Sequence, residues 1–223
     1  MEEEFFREEK IAQSEKEIEW ERRQEEIEHT ADSLGEPIDE RIKKTVVALN
    51  VSGLPTSASC EGHIDFSTGA PWVDIEAPGQ PKWRFVGEEQ VFQGVAEKYG
   101  VSIEDVRRAL HYEARKEAAR KTSGEETEKY KQWRERNKEL AEKMSRLLEE
   151  FYKEREVAPG VRLTISEWGE GGFRVNNGEQ EDKFAPKEFS KEEKGRRAQL
   201  LPRYQQEMEE FTEFLRQKYF SEQ

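Results

Sequence analysis

Cys60, Glu61, Gly62 and His63 bring a thiol, a carboxylate and an imidazole into four consecutive positions, where the chain's only cysteine meets one of its three histidines. Three chemistries can use that set. Cys60 and His63 stand in C-x-x-H spacing, which a metal could use if the chain turns at Gly62 and further ligands such as His29, Asp65 or Asp74 join them. The same turn would let Cys60 act as a nucleophile with His63 as its base and Glu61 beside them, the catalytic reading. Alternatively Ser59, Glu61, His63 and the exposed backbone at Gly62 hold a ligand. Two ligands do not make a metal site, so the expectation is ligand holding without a metal, and the residues specify no cofactor. The plain structural alternative is a buried cysteine beside a hydrogen-bonded histidine at a strand end.

The elements that must position these residues can be read from periodicity. Thr56 to Ile64 and Pro71 to Ala77 read as extended segments separated by a loop with Gly69. Val161 to Ile165 alternates as a strand, Gly169-Glu170-Gly171-Gly172 makes a turn, and Phe173 to Asn176 returns as its partner. If Ala58, Cys60 and Ile64 share a face with Val73, Ile75, Val161, Leu163, Ile165, Phe173 and Val175, the opposite face is polar. It carries Ser57, Ser59, Glu61 and His63, then Trp72, Asp74 and Glu76. Arg162, Thr164, Ser166, Trp168, Arg174 and Asn176 complete it. A face mixing tryptophan, arginine, acids and hydroxyls suits planar or anionic ligands, so Ser57, Ser59, Gly62, Trp72, Asp74, Arg162, Trp168 and Arg174 are the expected ligand-binding residues.

Helices surround these strands. The second runs from Pro37 to about Asn50 with Ile38, Ile42, Val46 and Leu49 on one face, stopped by Gly53 and Pro55. The last runs to Tyr219 with a stripe of Leu200, Tyr204, Met208, Phe211 and Leu215, and Pro202 is expected to kink or restart it. Between 125 and 157, Tyr130, Trp133, Asn137, Leu140, Met144, Leu147 and Phe151 alternate three and four apart. That stripe predicts packing on the chain's own sheet, with a coiled-coil homodimer set by Asn137 as the alternative. The expected fold class is α+β, a small four-stranded sheet with long helices on one face. Residues 1–34 form an acidic helical arm, and residues 35–223 form the domain, with 88–122 as a helical insertion.

At the cysteine block a resemblance becomes specific. Gly53 to His63, then Pro71-Trp72-Val73, and later Leu147 to Tyr152 with Val161-Arg162-Leu163, resemble a group of uncharacterised bacterial proteins that carry the same S-C-E-G-H block. More distantly, Ser59-Cys60-Glu61-Gly62-His63 is similar to the S-C-S-G-R motif of the tRNA wybutosine-synthesising methyltransferase family, which acts on a modified guanosine in tRNA. Glu61 stands here in place of serine and His63 in place of arginine. The resemblance implies a nucleotide or modified base as the first ligand class to consider.

Val95 to Val106 competes for attention, because Ala96, Gly100 and Val106 have the spacing of a helix-turn-helix corner, with Ser102 and Asp105 spaced as a capping box. The following helix carries Arg107, Arg108, His111 and Arg115 as candidate DNA contacts. Six Lys or Arg against three acids between 105 and 121 give it a local +3. The whole chain, at −13, repels phosphate on average, which makes nucleic acid the second expectation after a small molecule. Residues 1–30 hold twelve glutamates against five basic residues, a balance of −7 in the arm alone. Charged residues make up 39% of the chain and hydrophobic ones 33%, as suits helices with one buried stripe. A single cysteine forms no intrachain disulfide, no apolar run spans a membrane, and Met-Glu-Glu-Glu-Phe-Phe is not a signal-peptide start, so a cytoplasmic protein is expected. The sequon at Asn50 then has no consequence.

Overall fold

The computed structural model describes residues 2–31, 35–65, 69–169, 171–177 and 189–221, with the side chains of residues 2–14 and of Trp168 outside that description. The chain divides into two compact units, one of residues 1–76 and 137–223 and one of residues 77–136. The second unit is wider than the 88–122 insertion read from the sequence. No described helix is long and apolar enough to cross a membrane.

The first unit is α+β. Its helices are α1 (Glu2–Glu28), α2 (Lys43–Val51), the C-terminal part of α6 (Glu128–Phe151) and α7 (Lys191–Ser221), and its strands are β1 (Thr56–Cys60), β2 (Trp72–Ile75), β3 (Leu163–Trp168) and β4 (Gly172–Asn177). The four strands form one antiparallel sheet in the order β1-β2-β4-β3. Val73, Ile75, Leu163, Phe173 and Val175 make its apolar face, and Val46, Leu49, Met144, Leu147, Phe151, Phe211 and Leu215 cover that face in one core. Side chains two apart on a strand share a face, while those three and four apart share a helix side, and these two periods meet here.

Local signals set the element ends. Gly53, at φ +69°, stops α2, and Leu54 donates its N–H to the Leu49 carbonyl. Asn50 then ties the helix to the sheet, its amide donating to Val46 O and to Thr56 Oγ1 at 2.7 and 2.8 Å. Ile38 and Ile42, expected within α2, precede it, Ile38 in irregular chain and Ile42 in a turn, yet Ile42 is still buried. The acidic arm docks at its C-terminal end: Trp20 and Ile27 are buried, and Trp20 packs on Phe220 at 5.6 Å between ring centroids. Ile18 stays exposed. Pro202 lies inside α7, which continues through it rather than restarting.

The second unit is helical, with α3 (Glu88–Tyr99), α4 (Ile103–Arg107), α5 (Tyr112–Lys121) and the start of α6. Phe92, Val95, Ala96, Val106, Ala114 and Ala118 form its core. Gly100 at φ +66° closes α3, and Ser102 opens α4 with the expected box: Asp105 N–H to Ser102 Oγ at 3.0 Å, and Ser102 N–H to Asp105 Oδ2 at 3.2 Å. Trp133 is fully buried and donates its indole N–H to Ala77 O at 2.7 Å. Met144, Leu147 and Phe151 pack in the core under the sheet, as the intrachain reading of the α6 stripe anticipates, while Tyr130 and Trp133 are buried but belong to the second unit.

Candidate functional site

The Cys-Glu-Gly-His block is a turn and not a continuing strand. β1 ends at Cys60, and Gly62 adopts φ +81°, a left-handed conformation that costs glycine little. The expected extension to Ile64 therefore fails, because the chain reverses to reach Pro71. Space enforces the glycine as well. A Cβ at Gly62 would lie 2.8 Å from Leu201 Cδ1 and 2.9 Å from both Ala70 C and Pro71 N.

Helix α7 grips this turn with residues four apart. Arg197 Nη1 donates to His63 O at 3.4 Å, Leu201 packs over Gly62, and Gln205 Nε2 donates to Glu61 O at 3.0 Å. A turn leaves backbone carbonyls without ladder partners, and these buried side chains supply the donors. The buried stripe of α7 therefore starts with Arg197, Leu201 and Gln205, displacing Leu200 and Tyr204, which are only half-buried.

Asp39, from the segment before α2, completes the cluster. Its Oδ2 accepts the Glu61 N–H at 3.0 Å and lies 3.5 Å from His63 Nε2. The Gly62 N–H points to Cys60 Sγ at 3.4 Å. One ligand atom each of Asp39, Cys60 and His63 lies within 4.8 Å of the other two. Glu61 itself turns its carboxylate away, accepting the Arg41 N–H at 3.0 Å, so it is not the acid beside the thiol. The acids and histidine expected from the sequence are not the partners. Asp65 pairs with Lys194 at 2.6 Å, Asp74 is held by Arg174, and His29 is exposed. Nothing in local spacing marks Asp39, which is brought in by the fold.

The polar sheet face is real but differs from the expected one on β1. Thr56 pairs with Ile75 while Ala58 pairs with Asp74, so a bulge at Ser57 absorbs one residue. One extra residue flips every side chain that follows. Cys60 and Ala58 thus join Trp72, Asp74, Arg174, Asn176, Thr164 and Ser166 on the polar side, while Ser59 sits opposite Val73 on the other. Arg174 holds Asp74 through Nε and Nη2 at 2.6 and 2.9 Å and stacks on Trp72 at 3.7 Å. Its charge is therefore already met. Arg162 precedes β3 and lies 4.1 Å over the Tyr152 ring, apart from this face, and the side chain of Trp168 lies outside the described residues.

Beside the turn, a groove of about 610 Å³ follows the edge strand β1, lined among others by Arg23, Asp39, Ser57, Ser59 and Trp72. A larger groove of about 780 Å³ runs between α1, α2 and α7 among Gln24, Glu40, Arg41, Lys44, Glu209 and Arg216. Its lining includes the Arg41–Glu209 ion pair at 2.8 Å, and neither groove is lined by Cys60 to His63. Arg23 and Trp72, which line the groove beside β1, each keep a buried donor, Nε and Nε1, without a hydrogen-bond acceptor.

The DNA-contact candidates are largely committed within their own unit. The basic segment is cut in two, since α4 has only five residues and α5 restarts at Tyr112 after Ala109 at φ +56°. Arg107 and Arg108 both bind Glu104, at 2.6 and 3.0 Å, which holds that carboxyl below its ordinary range. His111 caps α5 through Nδ1, accepting the Ala114 N–H at 3.3 Å, and Arg115 lies 5.2 Å over the Phe92 ring.

Comparison of the chain with models of protein families, with curated proteins and with solved structures finds no match in any of the three.

Proposed function

We propose that this chain binds a small molecule in the groove between β1, the end of α1 and the segment before α2, with a nucleotide or modified base as the ligand class. The observation that carries the reading is the pair of buried, unmatched donors, Arg23 Nε and Trp72 Nε1, on residues lining that one groove. Native proteins match nearly all buried polar atoms, so unmatched donors on two residues lining one groove favour a ligand that supplies acceptors once these side chains turn toward it. A phosphate or base carbonyl does so. The volume of about 610 Å³ falls within the range of small-molecule sites, roughly 300–1,000 Å³. The hydroxyls of Ser57 and Ser59 add hydrogen-bonding capacity, and the likeness of Ser59 to His63 to a guanosine-handling motif points to the same class.

The test is thermal shift with a panel of nucleosides and nucleoside monophosphates, followed by native mass spectrometry of any hit. A ligand at a hundred times its Kd stabilises the folded state by about 2.7 kcal/mol. The expected result is a saturable rise in Tm for the native chain that Arg23→Gln and Ser59→Ala each weaken at least tenfold in ligand concentration. A panel without effect, or a shift unchanged in both variants, overturns the reading.

A further inference from the structure

The triangle of Asp39, Cys60 and His63 carries an inference separate from the groove's ligand, although Asp39 lines that groove too. We infer that these three side chains form a tetrahedral site for a divalent transition metal of zinc character, with the fourth position left to water or a ligand.

The geometry separates this from the two other uses of the same residues. A thiol–imidazole–carboxylate relay needs the imidazole between the other two groups, with one ring nitrogen for each, which sets sulfur and carboxylate well apart. Here one atom of each residue lies within 4.8 Å of both others, so the three converge on a common point. A tetrahedral ion with bonds of about 2.0 Å to oxygen and nitrogen and about 2.3 Å to sulfur sets its ligand atoms about 3.3–3.5 Å apart. His63 Nε2 and Asp39 Oδ2 stand 3.5 Å apart, too long for a good hydrogen bond and the right length for that edge.

The surroundings hold the donors as metal sites hold theirs. Glu61 N–H fixes the Asp39 carboxylate oxygen, and Gly62 N–H fixes the sulfur in the orientation that favours a thiolate. Arg197, Leu201 and Gln205 then fix the backbone of the turn that carries Cys60 and His63. Charge balances too. A thiolate and a carboxylate neutralise a dication, whereas the same two anions side by side without one repel. Cys60, at 6% exposure, is sheltered in a way that suits a ligand better than a nucleophile that must reach a substrate. Thiolate with imidazole and carboxylate selects a borderline ion over calcium or magnesium, which take oxygen donors.

The experiment uses the metal ion alone on the full chain, so the outcome of the nucleotide panel has no bearing on it. Chelator-treated protein is titrated with zinc by calorimetry and with cobalt(II) by absorbance. The expected result is one equivalent of each ion, with tetrahedral cobalt bands and a thiolate-to-cobalt charge-transfer band. Cys60→Ser removes the charge-transfer band, and Asp39→Asn and His63→Ala each weaken zinc binding about a hundredfold. Asp65→Asn, whose carboxylate pairs with Lys194, leaves it unchanged and controls for loose binding by an acidic chain. Because binding displaces the thiol proton, zinc affinity falls as pH is lowered. Should Cys60→Ser not fold, zinc protection of Cys60 from alkylation by iodoacetamide in the native chain gives the same answer. No uptake, cobalt bound without the thiolate band, or an Asp65→Asn loss equal to that of Asp39→Asn overturns the proposal.

Discussion

Asp74 and Arg174 lie directly opposite each other on β2 and β4, joined by two hydrogen bonds of 2.6 and 2.9 Å, with only 3% and 8% of each residue exposed. An ion pair this far from water is held by geometry, and its members depend on each other. Asp74→Ala leaves the guanidinium buried against Trp72 with its main acceptor gone, and removing one partner of a buried pair costs about 3–5 kcal/mol. Replacing both, as Asp74→Leu with Arg174→Met, recovers most of that loss. Urea unfolding of the three proteins measures it. A loss below about 1 kcal/mol for Asp74→Ala would show that water reaches the pair.

Gly62 predicts a second ordering. Gly62→Ala meets the backbone of Ala70 and Pro71 at 2.9 Å and must hold φ +81°, so strain and overpacking add to a loss of at least about 2 kcal/mol. Gly53→Ala shares the left-handed strain at φ +69° but meets only Lys143 Nζ at 3.2 Å, the end of a flexible side chain. It should cost about 1 kcal/mol. Equal losses in thermal unfolding would mean that the Cys60–His63 turn is looser than its packing indicates.

Glu76 sets a pH dependence. Burial first, and the neighbouring Asp74 carboxylate second, raise its pKa above the ordinary value. A group whose folded pKa is raised contributes stability below its unfolded pKa and loses it as pH rises through the folded one. The charged form present at pH 7 is thus the less favourable one in the fold. Glu76→Gln should be more stable than the native chain at pH 7, with the advantage shrinking as pH falls into the ordinary carboxylate range. Urea midpoints at pH 7 and pH 4 test the sign; an advantage that grows on acidification contradicts it.

How much could be read beforehand varies by element. The helix stops at Gly53 and Gly100, the Ser102–Asp105 box and the β3–β4 hairpin all depend on neighbours in the chain, and local residue types announce them. The stripe of α6 was legible because its period of three and four is unbroken. β1 was not, since Thr56-Ser57-Ala58-Ser59-Cys60 has no strong apolar alternation to betray a bulge, and that one residue decides which face Cys60 takes.

Residue types and spacing were enough to establish that this chain is α+β, that α2 stops at Gly53, and which residues of β2, β3 and β4 line the apolar sheet face. All of these follow from interactions within a few positions and from the two periods of helix and strand. The fold alone brings in Asp39 as the third member of the cluster, turns Glu61 away from it and sets Arg197, Leu201 and Gln205 on the turn. Those partners are 21 residues or more from Cys60 along the chain, and no local pattern records which distant side chain a backbone carbonyl or a carboxylate will meet. The core decides that, by packing α2 and α7 against one sheet.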